Sequence, residues 1–425
     1  MTLLKVMNEL LRSKVIFLLL LIILFFGLEL YYILIIVEEY GHLGFSFQSN
    51  YFKIIVGHLF FFAVVCFIPL IKNDSIRIVL LFFLILSFIP NLILFQFSHA
   101  SLIPVFGSTV FIISTYFFHI SFNTLKISFQ SIPNYDVKYL FVGTLLLLIP
   151  YFLTFGFPEG LSELSFETIY DYREKMAEKT NSYINYSYST ISKWLLPLMI
   201  AFGLHRKSFI WTFLGVICIM YLFVVTGNKI TLFILPVAFF FALPLNLDNK
   251  ISIVLIGLVI LTFVSLYIIK PTNFLADNFI RRMLFLPALL NQQYIEFFTE
   301  PIYFSHSFLS KLIEYPYDLS PPKLIGLHYY KSVDINATNG IISDGFINLG
   351  VTGVFLFSLL CGALTALACK MNIQSIYLCV YFLLIHSFID HAFFTSFITH
   401  GLIFLFLIIL FFIKETNSNA GLTKS

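Results

Sequence analysis

Apolar runs of about 18 or more residues recur along almost the whole chain, and each is long enough, at 1.5 Å rise per residue, to cross about 30 Å of hydrocarbon as a helix. Repetition of this kind leaves an all-α polytopic membrane protein as the fold class, because a spanning segment must satisfy its backbone hydrogen bonds internally. Composition agrees. Of 425 residues, 59% are hydrophobic and only 11% are charged, and the mean hydropathy is +0.94. The first run, 15–37, follows Lys5, Arg12 and Lys14 in the manner of a signal peptide, but it is too long for one and no A-x-A-like cleavage site follows. The five cysteines all lie in apolar runs without a C-x-x-C pair and read as small core residues.

About twelve spans are expected, near 15–37, 52–71, 76–97, 102–122, 138–157, 189–204, 208–226, 230–246, 251–269, 346–369, 372–389 and 393–413. The sixth is the weakest, being short and carrying Lys193 and Pro197. Lys and Arg in short loops are retained in the cytoplasm. With the N-terminus inside, short cytoplasmic segments hold basic residues such as Lys72, Arg77, Lys126, Arg206, Lys207, Lys250 and Lys370, whereas short outer loops hold only Lys53 and Lys229. Both termini are therefore expected in the cytoplasm, within one integral membrane domain over 1–425. Two long loops then lie outside, 158–188 and 270–345.

No P-loop, G-x-G-x-x-G, H-E-x-x-H or paired-cysteine signature occurs, and the lack of an ATP site weighs against a primary pump. The ionisable residues carry the functional reading, since a charge at membrane depth costs roughly 2.5–3.5 kcal/mol on insertion scales. Leu275, Phe279, Met283 and Leu286 recur at helical spacing with Arg281 and Arg282 between them, as in a helix lying at the interface. Paired guanidinium groups suit a diphosphate; anchoring of the helix, or pairing with Asp277, fits equally. In the first long loop, Arg173 and Lys175 sit in a stretch, Phe166 to Lys179, with the charge spacing of a solvated helix.

Thr226-Gly227-Asn228-Lys229 reads as a tight outer turn whose lysine either snorkels or adds a cation to an outward-facing site. Asn339-Gly340 marks a turn before Asp344, which either caps the tenth span or orients a hydroxyl. Gly350 and Gly353 permit close packing there. His306 and His328 are acid or base candidates by residue type. His386, Asp390, His391 and His400 read as a hydrogen-bonded hairpin cluster rather than a metal site. Within the spans, ionisable residues are few, with Glu29, His58 and His119 the examples, while polar mass gathers in the two outer loops. That distribution favours an enzyme at the membrane face over a transporter with a charged central cavity.

Gly227-Asn228-Lys229, the Arg281-Arg282 helix running to Phe297-Phe298, and Thr338 to Gly353 resemble segments of oligosaccharide repeat-unit polymerases. Over the whole chain the topology resembles that of the Wzy-type O-antigen and capsular polysaccharide polymerases. The resemblance implies a bacterial inner-membrane protein similar in fold to the lipid-dependent GT-C glycosyltransferases. It implies transfer of a growing glycan from undecaprenyl diphosphate to the terminal sugar of a new lipid-linked repeat on the periplasmic face. The implied partners are that lipid-linked oligosaccharide, membrane lipid and a chain-length regulator protein, with no cofactor, no metal and no nucleic acid. In these roles Arg281, Arg282 and Arg173 would hold the diphosphate with Lys229, Lys175 and Asn339 in support, and Asp344 or His306 would act on the acceptor hydroxyl. An O-antigen ligase and a lipid-linked oligosaccharide flippase or transporter are the alternatives.

Overall fold

The computed structural model describes residues 14–129, 132–133, 135–157, 169–267, 276–307, 309–338 and 340–414. Asn339 lies outside them, as does Leu275. In chain order the helices are α1 (Lys14–Leu43), α2 (Tyr51–Leu70), α3 (Asp74–Phe97), α4 (Ile103–Thr124), α5 (Val137–Phe155), α6 (Ile169–Glu178), α7 (182–205) and α8 (Phe209–Thr226). They continue with α9 (Lys229–Ala242), α10 (Leu247–Tyr267), α11 (276–297), α12 (Pro321–Tyr330), α13 (Ile341–Lys370), α14 (Cys379–Asp390), α15 (Phe393–Ile398) and α16 (Leu402–Ile413). Eight of these, α1 to α5, α8, α10 and α13, are long and apolar enough to cross a membrane, so the chain is a multi-pass, all-α membrane protein by helix length and hydropathy. Only one isolated β-bridge, Ile373 to Lys414, occurs among the described residues.

By internal contacts the chain groups into two units. The first comprises Met1–Ser121, Asn246–Leu367 and Ile385–Phe393; the second comprises Phe122–Leu245, Ala368–Leu384 and Phe394–Ser425.

In the first unit α3 is the core element, its apolar length buried on every side. It starts on an N-cap, the Asn73 side chain accepting the Ile76 N–H at 2.9 Å. Arg77, one turn in, is held by Asp74 at 2.9 Å and by Asp248 of α10 at 2.5 Å. Phe83 stacks on Phe111 of α4 at 3.8 Å between ring centroids, and Ser87 bonds Ser108 across the same interface at 3.2 Å. Helix α13 lies against α4 through glycines. A Cβ at Gly362 would stand 1.9 Å from Ser114 Oγ and 2.9 Å from the Thr115 backbone nitrogen. Small residues at such points let helix backbones approach in the absence of a hydrophobic drive between helices.

In the second unit the helix expected at 189–204 begins earlier, at Ser182, where Asn181 accepts the Ile184 N–H at 3.0 Å. The run expected to form one span at 393–413 is divided, because Gly401 adopts φ +70° and separates α15 from α16. The run at 372–389 yields the shorter α14: Asn372 at φ +53° and the Ile373–Lys414 bridge hold the preceding backbone out of a helix. Lys414 is buried and donates to the Phe129 and Ile132 carbonyls at 2.8 and 2.5 Å. Of the cysteines, Cys218, Cys361, Cys369 and Cys379 are buried and Cys66 is exposed.

If the α4–α13 contact is as tight as this, Gly362→Val will destabilise the protein by about 1–3 kcal/mol through overpacking. A thermal-unfolding midpoint in detergent equal to that of the unsubstituted protein would show that the contact has slack.

Candidate functional site

The arginine pair lies on α11, whose first ten residues, Ala276–Phe285, are wound as a π-helix. Adjacent residues on a helix point about 80–100° apart, so the two arginines face different surroundings. Arg281 is buried, with its guanidinium carbon 4.5 Å from the centroid of the Tyr40 ring. Arg282 is exposed. The side chains therefore do not form a matched two-guanidinium clamp. From Ala288 to Tyr294 every residue is buried, so the second half of this helix is enclosed.

Enclosure requires that the amides there be satisfied, and they are. Gln292 Oε1 accepts the Ser101 N–H at 2.9 Å, while its amide donates to the Ser101 carbonyl at 3.2 Å. Gln293 donates to the Leu43 carbonyl at 3.1 Å and accepts the Tyr330 hydroxyl at 3.1 Å. Asn291 donates to Asn91 Oδ1 at 3.4 Å. Arg281 also acts electrostatically on Tyr330, and with the Gln293 bond it opposes burial, which pushes that phenol up. Beside this network a small cleft of about 50 Å³ opens, lined among others by Tyr32, Ser98, Gln292, Gln293, Glu296 and Tyr329. The Tyr329 hydroxyl is 3.4 Å from Glu296 Oε2, and burial pushes it up to about 12.

Asp344 lies in the first turn of α13 and is buried. It does not cap its own helix. Its Oδ2 accepts the Phe393 N–H at 2.8 Å and its Oδ1 accepts the Asn348 amide at 3.0 Å. Five residues on, α13 breaks: Leu349 leaves the helical region and Gly350 adopts φ +62°. The freed groups are taken up by the chain at 302–304, whose Ile302 and Tyr303 amides donate to the Ile347 and Asn348 carbonyls at 2.8 and 3.3 Å, and whose Phe304 amide donates to Asn348 Oδ1 at 2.8 Å. Beyond the break, a Cβ at Gly353 would meet the Gly345 carbonyl oxygen at 2.0 Å, which accounts for the glycine there.

That same 302–304 segment leads to His306, half-buried beside the Tyr315 ring at 5.9 Å. Its Nδ1 is buried without a hydrogen-bond partner, and burial holds the imidazole below its ordinary value, favouring the neutral, proton-accepting form. His328 packs edge-on to Phe297 at 5.1 Å and serves as an aromatic contact. Asp390 pairs with His391 at 3.7 Å and is 3.5 Å from the Thr338 hydroxyl.

In the second unit, Arg173 and Lys175 are exposed on α6, as the charge spacing predicts. Lys229 opens α9 directly after Gly227, which takes φ +62° as the turn requires. Sequence reading missed the cluster beside them. Tyr188 bonds Thr231 and is 3.4 Å from Thr226, within electrostatic reach of Arg173. One residue on, Ser189 bonds His400 Nδ1 at 2.8 Å, and the Trp194 indole donates to the His400 carbonyl at 2.8 Å. Lys193, buried in α7, acts on the same imidazole. The outlying position of Lys193 within an apolar run was the available signal; its electrostatic effect on His400, some 200 positions away, was not.

The first unit thus brings Arg281, Asp344 and His306 onto elements of one compact body with the cleft, while Arg173, Lys175 and Lys229 belong to the second. Because His306 is held below 6.5, the unfolded chain binds more protons than the folded one in acid; the associated stability is complete above about pH 6.5 and is lost as pH falls below it. Thermal unfolding between about pH 7.5 and about pH 5 will show a fall in midpoint that His306→Gln reduces; an identical fall in the variant would contradict the assignment. Comparison with protein-family models, with characterised proteins and with solved structures finds no match to this chain.

Proposed function

We propose that this protein is a polymerase of undecaprenyl-diphosphate-linked oligosaccharide repeat units in O-antigen or capsular polysaccharide synthesis, a multi-pass protein of the bacterial inner membrane. On this reading the chain crosses the membrane about twelve times, with both termini in the cytoplasm, the segments 158–188 and 270–345 in the periplasm, and a GT-C-like fold. The observation that carries it is the burial of Arg281 against Tyr40, within electrostatic reach of Tyr330, which sets a fixed cation in a largely apolar body on the same helix as Gln292 and Gln293, two residues lining the small cleft.

The chemistry follows from charge. The acceptor hydroxyl oxygen attacks the anomeric carbon of the donor glycan, the bond from that carbon to the diphosphate oxygen breaks, and the diphosphate leaves with the bonding electrons. A guanidinium already in place stabilises that developing charge without reorganising, and within a low-dielectric body it counts for more than in water. Arg282, exposed on the same helix, supplies further positive charge to the lipid head group. The neutral imidazole of His306 accepts the hydroxyl proton, while Asp344, held by two donors, orients polar groups at the α13 break. The reaction as written uses no cofactor.

The test is the banding of surface polysaccharide in a deletion strain. Loss of a polymerase leaves single repeats on the acceptor lipid, and complementation with Arg281→Ala, at normal abundance in the membrane, restores no ladder, since removing such a group slows transfer on the order of a hundredfold or more. Full-length polymer from Arg281→Ala would refute the assignment. A deletion strain with nothing attached to the acceptor lipid would identify a ligase instead.

A further inference from the structure

Near the middle of α1, Glu29 is 93% buried within a candidate membrane span, a 7% exposed carboxylate where an unpaired charge is costly. Its Oε1 has no hydrogen-bond partner, although the Nε2 of His58, on α2, lies 3.4 Å away. The other ring nitrogen of His58, Nδ1, is 2.7 Å from the Ile54 carbonyl oxygen. The Gln96 amide nitrogen lies 3.2 Å from the same Nδ1, and the two contacts ask for opposite tautomers: facing the carbonyl Nδ1 carries hydrogen, facing the amide it accepts. In the first tautomer Nε2 presents a lone pair to a carboxylate that also offers only lone pairs; in the second Nε2 donates to a carboxylate whose charge is still uncompensated in the apolar interior.

In either tautomer one added proton removes the buried negative charge of the pair. The setting is apolar: Phe26 stacks on the His58 ring, Phe25 meets it edge-on, and Phe61 stacks on Phe25. The third polar group is Gln96 of α3, fully buried, whose amide nitrogen is 3.4 Å from the Ile54 carbonyl and 3.2 Å from Nδ1, and whose Oε1 is unpartnered. Room for it is made by Gly57, where a Cβ would stand 2.5 Å from the Gln96 side chain.

We propose that Glu29, His58 and Gln96 form a proton-binding site inside the membrane-spanning part of the first unit, with one proton bridging Glu29 Oε1 and His58 Nε2. With no proton there the pair bears one negative charge; with one it is neutral, whether drawn as carboxylic acid and imidazole or as carboxylate and imidazolium; with two it is positive. Burial disfavours both charged states, so the site holds one proton and can pass it between the two atoms without changing its net charge.

The remaining titratable groups on the packed elements are placed away from the pair or engaged otherwise. On α2, Lys53 donates to the Ser98 and Ala100 carbonyls at 3.1 and 3.0 Å. On α3, Asp74 and Arg77 lie at the end opposite Gln96, and on α10, Asp248 joins them while Lys250 lies in the same first turn. Helix α10 meets α1 at this level through the Thr262 and Phe263 side chains against Gly27, and Tyr267 ends it, exposed. On α1, Lys14, Glu38, Glu39, Tyr40 and His42 lie toward the two ends, while Tyr31 and Tyr32 follow Glu29 within one turn, Tyr32 donating to the Ser46 carbonyl at 2.8 Å. This site belongs to no step of the glycosyl transfer and does not depend on that reading.

The experiment is infrared difference spectroscopy of the full-length protein in detergent, recorded between two pH values in light and heavy water. The unsubstituted protein is expected to show a protonated-carboxyl C=O band that titrates with pH and shifts on deuteration; Glu29→Gln loses it, and His58→Gln moves its midpoint by about one pH unit or more. Glu29→Asp, which keeps the carboxyl but shortens its reach, also moves the midpoint and serves if Glu29→Gln is not monodisperse. No titrating band in the unsubstituted protein, a band unchanged in all variants, or a band displaced by sodium or zinc ions at constant pH would overturn the proposal.

Discussion

Inside hydrocarbon a backbone amide has no water to turn to, and the breaks at Gly350 and Gly401 answer that constraint. Helices run uninterrupted unless something stands ready to take the released groups. At the break in α13, amides from 302–304 occupy the Ile347 and Asn348 carbonyls, and the Asn348 side chain occupies the Phe304 amide. At Gly401 the indole of Trp194 takes the preceding carbonyl of His400. These capped interruptions are where polar side chains enter the apolar body: Asp344 and Asn348 at the first, Ser189 and His400 at the second.

The same accounting holds for side chains. Buried cations are placed against something that accepts them, as Arg281 is over Tyr40 and Lys414 is against two carbonyls. Buried amides in α11 are each matched to a partner on α3, on the α3–α4 connection or at the end of α1, which makes that helix a polar staple through the first unit. Glu29 Oε1, 3.4 Å from His58 Nε2, and the Nδ1 of His306 are buried atoms without a hydrogen-bond partner. Function in such a chain gathers where matching is tight but incomplete.

What could be read from the residues was whatever depends on local period. The long apolar runs became helices, the charge spacing before Lys179 became α6, and Gly227 became a left-handed turn. Properties that depend on a single residue or on distant pairing were hidden. Arg281 is buried and Arg282 exposed, although they are adjacent and chemically alike, because what packs around Ala276–Phe285 decides which of them is enclosed. An apolar run at 393–413 gives no periodic sign that Gly401 divides it. Glu29 and His58 were visible as ionisable residues in spans, but that they face each other follows only from the register of α1 on α2.

Two charged stretches of an otherwise apolar chain are the natural places to meet an ionic head group, and the functional account requires both to lie outside the cytoplasm. The most direct measurement is labelling of single cysteines, in a background lacking the five native ones, by a maleimide that crosses the outer membrane but not the inner. Glu178→Cys and Glu300→Cys, at exposed positions of the two stretches, are predicted to react in intact cells, whereas Lys207→Cys reacts only after permeabilisation. Protection of Glu178→Cys or Glu300→Cys in intact cells would put that stretch in the cytoplasm and contradict the account.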